Sequence, residues 1–350
     1  MVRPATRLGP VGLILPTLPQ DTIPTWTSVS ATGSTIGTTD GDPNGDGRGE
    51  GDPRRDEDPI EELSAFCRRA EELGADALWA CDHLFWHGPV LECMTTLVVA
   101  ATATRRAVIG SCVVQLPLRQ APAVAKQAAS LQLLSRGRLV LGVGIGSHAG
   151  EFEQAGVEYT TRGKQLDQGI AELRRSWRTG DGVTIGDIEA GGPARYRQLP
   201  SPPPVPVWVG GSSEAAIRRA AGLADGWMPL FLSPSEYSGA VERLAKEVDR
   251  AGRLAGSVTR SIVLFISVDD DPLEAQRRGS SWMSSLYGIP AKAFERHLVA
   301  GSAAEVAAVV ASYRRSGAEH VAVYVTADEP LDQYERLAAA LPAAGVETQG

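Results

Sequence analysis

Short unbroken apolar runs alternate along this chain with longer stretches whose apolar residues recur every three or four positions. Short runs suit strands covered on both faces, and the three-to-four spacing suits amphipathic helices. Strands are predicted at Val11–Leu15, Ala77–Cys81, Val108–Val114, Leu139–Val143, Val205–Val209, around Trp227, at Ser261–Val268 and at His320–Val325. Ile60, Leu63, Phe66, Ala70 and Leu73 predict a helix stopped by Gly74. Leu91–Ala103 predicts another; Val124, Ala128 and Leu131 a third, ending near Gly137; Leu166, Ile170, Leu173 and Trp177 a fourth. Glu214–Ala221 follows Ser212 and Ser213, two candidate N-caps. Ser302 and Glu305 form a capping box, and Leu331, Tyr334, Leu337 and Leu341 mark a last helix. About eight alternations of strand and helix predict an α/β fold with a parallel sheet. In a chain of 350 residues they favour a closed (β/α)8 TIM barrel.

One segment breaks the pattern. Gln20–Asp58 is rich in Thr, Ser, Gly and Asp and carries no apolar period. It cannot bury enough apolar surface to offset ordering entropy, so it reads as a disordered acidic insertion after the first strand, within a single domain spanning 1–350. Asp42, Asn44 and Asp46 resemble the start of a calcium loop, but position 12 is Pro53 and no helix pattern precedes them. Asp40–Asp58 holds eight acids and three arginines, so most of the net charge of -8 is local.

Elsewhere charge and cysteines exclude more than they assign. No basic stripe exists, so no nucleic-acid partner is expected. Cys67, Cys81, Cys93 and Cys112 are scattered without a Cys-x-x-Cys pair, which fits a reducing cytoplasm. Pro10, Gly12 and Pro16 interrupt the N-terminal apolar run, so no signal peptide is expected, and no stretch is long enough to span a membrane.

If the barrel holds, chemistry belongs at the C-terminal ends of its strands. Asp82, His83, Trp86 and His87 follow the second strand. Cys112, Val113 and Gln115 close the third, and Gly144, Ile145, Gly146, Ser147 and His148 follow the fourth. Gly210, Gly211 and Ser212 enter a helix, where free N–H groups and the helix dipole favour a phosphate. The Gly142, Gly144, Gly146 alternation is either a ligand cradle or a close-packing device, and the residues leave both open. His83 is the acid–base candidate, with Asp82 orienting it or binding backbone N–H groups. His83 and His87 would form a metal pair on a helix, but Pro89 argues for a loop, and no metal site is expected. His148 is a candidate contact for cofactor or substrate. Trp86 either stacks on a planar ligand or packs; Trp177 reads as core, and His297 and His320 as surface or structural. Cys112 has no acid–base partner nearby in sequence and is no nucleophile.

Several stretches together resemble the bacterial luciferase-like superfamily, in particular its branch using the deazaflavin coenzyme F420. They are "ALWACDHLFW" (77–86), "RRAVIGSCVVQLPLRQAPAVAKQAASLQLLSRGRLVLGVGIG" (105–146), "EFEQAGV" (151–157), "RGKQLDQGIAELRRSW" (162–177) and "VPVWVGGSSEAAIRRAAGLADGWMP" (205–229). The resemblance covers nearly the whole chain outside the insertion. It implies a TIM barrel with coenzyme F420, or FMN as the alternative, in the C-terminal mouth. It also implies a non-prolyl cis peptide at Cys112-Val113 behind the ring. The glycine turn at 144–146 and Gly210-Gly211 would hold the ribityl and phosphate end, with Asp82, Gln115, Ile145, Ser147, His148 and Ser212 beside them. His83 aligns with the acid–base histidine of the sugar-phosphate dehydrogenases in this branch. Those carry a glutamate directly after the glycine turn, where this chain has Ser147, so the acid partner is missing and sugar-phosphate oxidation is not expected.

The chain therefore reads as an oxidoreductase moving a hydride between the cofactor and a small organic substrate, with His83 handling the proton. The alternatives are an FMNH2-dependent monooxygenase that activates dioxygen and a non-catalytic flavin-binding barrel. A metal-dependent hydrolase lacks convergent His and Asp ligands. The resemblance also implies a homodimer.

Overall fold

In the computed structural model, residues 8–16, 58–86, 88–178, 202–293, 295–327 and 330–347 are described, together with the backbone of two short strands at Val183–Ile185 and Ala194–Tyr196. The strands in chain order are β1 (Val11–Ile14), β2 (Ala77–Ala80), β3 (Val108–Ser111), β4 (Val114–Gln115), β5 (Leu139–Gly144), β6 (Val183–Ile185), β7 (Ala194–Tyr196), β8 (Val207–Gly210), β9 (Gly226–Met228), β10 (Thr259–Val268), β11 (Leu298–Gly301) and β12 (His320–Val325). The helices are α1 (Pro59–Glu72), α2 (Cys93–Ala103), α3 (Ala121–Leu134), α4 (Ala149–Gln154), α5 (Arg162–Trp177), α6 (Glu214–Leu223), α7 (Pro234–Arg250), α8 (Pro272–Tyr287), α9 (Ala303–Arg315) and α10 (Pro330–Ala340).

Eight parallel strands close on themselves in the order β1-β2-β3-β5-β8-β9-β10-β12, and β12 pairs back onto β1. This is the TIM barrel that the alternating pattern predicts. Closure leaves Gly12 of β1 level with Ala77 on one side and Ala322 on the other. β11 adds to β10 outside the closed ring, and β6 and β7 form a separate antiparallel hairpin.

Two apolar layers hold the barrel. The outer one joins strand faces to helices: Leu13, Leu78, Ile109 and Leu141 meet Leu97, Val124, Leu166 and Ile217. The inner one fills the barrel with Trp79, Trp208, Val140, Val263, Phe265 and Tyr324. Trp79 and Trp208 approach to 5.4 Å between ring centroids, and Gly110 leaves room for them. A Cβ on Gly110 would stand 2.3 Å from the Trp79 ring. His320 completes this plug. Its Nε2 accepts from Trp79 Nε1 at 3.0 Å and its Nδ1 donates to the Gly9 carbonyl at 2.7 Å. Burial pushes its pKa down to about 4, so it is a neutral structural histidine.

The structure refines several expected elements. Val108–Val114 is not one strand. It divides into β3 and β4 around a cis peptide at Cys112-Val113, the bond the resemblance implies. Leu91–Ala103 starts later, at Cys93, where the Glu92 side chain caps α2. Helices α7 and α8 were not singled out in the sequence. The α7 signal was present: Ser233 and Glu236 form a capping box, and Tyr237, Ala240, Leu244 and Val248 are buried at helical spacing. The Gln20–Asp58 segment and the calcium-like stretch lie outside the described residues, except for Asp58. Its carboxylate accepts from Ile60 N and caps α1.

Candidate active site

The ends of β2, β3, β5 and β8 bring most of the predicted site residues to one rim of the barrel. His83 leaves β2 in a short loop and is partly buried, with 23% of its side chain exposed. Its Nδ1 lies 2.9 Å from Oε2 of Glu151 on α4. The Glu151 side chain is 2% exposed and its other oxygen is also engaged. Oε1 accepts from the backbone N–H of Leu84 at 3.0 Å and of Phe85 at 3.2 Å, so the carboxylate holds the histidine loop by three points. Burial pushes the Glu151 carboxyl up. The hydrogen bonds from Gln115, His83 and Phe85 outweigh it, and the carboxyl ends below its ordinary value.

This corrects the sequence reading of a missing acid. Ser147 does stand directly after the glycine turn, and its carbonyl accepts from Tyr159 Oη at 3.0 Å. The carboxylate comes instead from one helical turn further on. A signal existed, since Glu151 follows the glycines in "GVGIGSHAGEF"; the short helix α4 swings it back toward β2.

A second carboxylate anchors the same loop from behind. Asp82 is fully buried at its side chain and accepts from Gln115 N at 2.9 Å and Arg119 Nε at 3.2 Å; it also pairs with Arg119 Nη2. Arg119 extends the chain to Glu92 Oε1 at 2.9 Å. Asp82 thus binds a backbone N–H and an arginine rather than the histidine ring. Sequence reasoning missed Arg119, which lies beyond the strand end in the turn leading to α3.

Aromatic rings complete the wall. Trp86 lies over His83 at 3.8 Å between centroids, His148 meets Trp86 edge-on at 4.5 Å, and Tyr287 of α8 reaches Trp86 at 6.0 Å. His148 stands beside His83 and Trp86, whereas His297 sits with Phe231 and Arg296. His87 lies outside the described residues. Trp177 packs against the outer layer and donates from Nε1 to Ala125 O at 2.9 Å. Burial pushes the Cys81 thiol up to about 12 and Cys112 well above its ordinary value, so neither is a nucleophile.

The glycines have packing reasons that the sequence left open. A Cβ on Gly142 would strike the Ser111 carbonyl at 2.1 Å, and one on Gly144 would strike Val113 Cγ2 at 2.5 Å. Gly210 faces the same Val113 side chain at 3.1 Å. These three glycines seat the chain around the cis bond. Gly211 differs. Its φ of +108° lies in the region that favours glycine, and it leads into α6, whose first turn is capped by Ser213. The Ser212 hydroxyl donates to Leu230 O at 2.6 Å, which ties the ends of β8 and β9 together. A cavity of about 540 Å³ opens elsewhere, between the Leu116–Pro122 segment and α5, and shares only Arg119 with this site.

The profile of the luciferase-like monooxygenase family matches residues 39–320. The chain belongs to that family. An uncharacterized protein of Mycobacterium tuberculosis is 34% identical over 196 residues, covering 54% of this chain and 64% of the relative. The match thus spans less than two thirds of that relative's length. A phthiodiolone/phenolphthiodiolone dimycocerosates ketoreductase of Mycobacterium kansasii is 28% identical over 255 residues, covering 64% of this chain and 68% of the relative. Among solved structures, an F420-dependent secondary alcohol dehydrogenase in complex with an F420-acetone adduct superposes with a TM-score of 0.72 at 17% identity, covering 82% of this chain and 96% of the other. That likeness places this luciferase-like chain in the same fold. No described helix is long and apolar enough to cross a membrane.

Proposed function

We propose that this luciferase-like barrel is an oxidoreductase that transfers a hydride between coenzyme F420 and a small organic substrate, with His83 as the acid–base group. The observation that carries the proposal is the His83–Glu151 pair at the C-terminal mouth, beside the cis bond at Cys112-Val113.

The residues present fit a flat cofactor with an anionic tail. Cys81, Cys112, Leu230, Phe231 and Tyr287 are partly buried and pack against the inner apolar layer, offering apolar surface suited to a ring. Gly211 and the first turn of α6 offer backbone N–H groups to a phosphate, and Glu214 at that turn is engaged by Arg243 at 2.9 Å. When bound, the deazaflavin supplies or takes up the hydride. The protein's part is the proton. In carbonyl reduction the protonated His83 ring gives a proton to the substrate oxygen; in alcohol oxidation the neutral ring takes it. Glu151 stabilises the imidazolium and, with Trp86, fixes the ring's orientation. Cofactor, substrate class, a homodimeric assembly and a cytoplasmic setting all belong to this proposal.

The family match favours a second reading, an FMNH2-dependent monooxygenase that activates dioxygen. One screen tests both. Alcohols, enones and imines are offered anaerobically with oxidised and reduced F420 or FMN, and oxygen uptake is followed separately with FMNH2. Anaerobic F420-linked turnover is expected. Turnover seen only with FMNH2 and oxygen selects the second reading, and no turnover under any condition contradicts both.

A further inference from the structure

Gln115 has a task beyond filling space in the mouth. Its amide Nε2 lies 3.0 Å from the Asp82 carbonyl and 3.0 Å from Glu151 Oε2, with His83 Nδ1 at 3.3 Å. An amide nitrogen has two hydrogens. The Asp82 carbonyl and the ionised Glu151 oxygen only accept, so they use both. Turning the amide over would set its oxygen against those two acceptors, so the hydrogen-bond pattern fixes the orientation. No Gln115 hydrogen remains for His83 Nδ1. That nitrogen stands 2.9 Å from the same Glu151 oxygen and must itself donate. Nδ1 therefore carries the hydrogen, and Nε2 is the ring nitrogen left for substrate.

The geometry points to Gln115 as a positioning residue that acts through Glu151: its amide hydrogen on Oε2 keeps that oxygen an acceptor, and the acceptor in turn holds the hydrogen of His83 on Nδ1. This inference rests on the reading of His83 as the acid–base group. The surroundings are built for the amide. Asp82 holds Gln115 at both ends, its carboxylate on the backbone N–H at 2.9 Å and its carbonyl on the side chain. Gly146, the third of the alternating glycines, has φ +73° and leaves the space the amide uses: a Cβ there would stand 2.4 Å from Gln115 Oε1. The sequence reading placed Gln115 among cofactor contacts; its amide hydrogens reach the Asp82 carbonyl and Glu151. The other ionisable groups around His83 are His148 on the β5–α4 connection, Asp82 with Arg119 behind the loop, and Tyr287 of α8 beyond Trp86.

Nitrogen NMR of ¹⁵N-histidine-labelled protein reads the tautomer directly, without cofactor or substrate. The His83→Gln variant identifies the signals by their loss. In the parent protein, neutral His83 is expected as the Nδ1–H form. In Gln115→Met, which keeps the length but not the donors, Glu151 Oε2 loses the hydrogen that holds it as an acceptor and is free to take a proton, so a mixture of tautomers is expected while circular dichroism stays unchanged. In Gln115→Glu the new carboxyl stands against Glu151 Oε2 and the Asp82 carbonyl and shares a proton with Glu151, so the oxygen facing His83 is no longer a fixed acceptor and a mixture of tautomers is again expected. A parent spectrum showing Nε2–H, or a folded Gln115→Met with the parent tautomer, overturns the inference. If Gln115→Met does not fold, a folded Gln115→Glu with the parent tautomer overturns it instead. Failure to bind F420 or FMN with the expected tautomer intact would count against the proposed function and not against Gln115.

Discussion

His83 and His320 show how the same side chain is given opposite tasks by its neighbours. His320 is sealed inside the barrel between Trp79 and the Gly9 carbonyl, and burial lowers its pKa from 6.5 to about 4. Unfolded, it takes a proton near 6.5; folded, only near 4. Between those values the unfolded chain binds more protons, so stability falls as pH falls through this window and levels off below it. The difference is worth about 3 kcal/mol. The His320→Gln variant should lose that part of the pH dependence, measured as denaturant midpoints from pH 7 to pH 4. Equal slopes in variant and parent would contradict the assignment. His83 is held at the rim by a carboxylate instead. His83→Gln and Glu151→Gln should each lower turnover by about 10²–10⁴-fold, the usual contribution of a positioned acid–base group, with cofactor affinity nearly unchanged. Normal turnover in both would make the pair structural. His83 was legible because a histidine at a barrel strand end is conspicuous. Glu151 was in plain view in the sequence but assigned no partner, because a short helix decides where it points and the sequence shows only its spacing.

Two connections carry the site, and each makes its own prediction. The turn from β8 into α6 depends on Gly211, where a side chain would meet Ala216 Cβ at 3.2 Å with φ at +108°. Gly211→Val should weaken cofactor binding strongly while the barrel remains folded; unchanged affinity would remove the phosphate end from α6. The link from β2 to α2 depends on Arg119, which joins the buried Asp82 to Glu92, the N-cap of α2. Arg119→Met leaves the Asp82 carboxylate buried without its cation and should destabilise the fold by about 3 kcal/mol. A denaturant midpoint within error of the parent would contradict this. At this scale the strands were easier to read than their interruptions. The run from Val108 to Val114 is apolar throughout its length apart from Gly110 and Ser111, and nothing in that pattern marks a break after Ser111. The family resemblance supplied it. Gly142, Gly144 and Gly210 then make sense as the residues that leave room for Val113 and for the Ser111 carbonyl.

Across the whole molecule, the barrel was readable because eight buried strands leave eight apolar runs, and closure by β12 on β1 follows from their number. The candidate face followed from the same topology. What lay beyond sequence was the convergence on that face: β2 provides His83, the stretch after β3 provides Gln115, and α4 provides Glu151, from positions up to 68 residues apart. The proposed function requires this face to hold a deazaflavin. Titration of the purified chain with F420 and, in parallel, with FMN tests it most directly, followed by fluorescence of each cofactor. Saturable binding of F420, tighter than that of FMN, weakened in Gly211→Val and kept in His83→Gln, is the predicted result. Tighter binding of FMN, or saturable binding of neither, would contradict the claim.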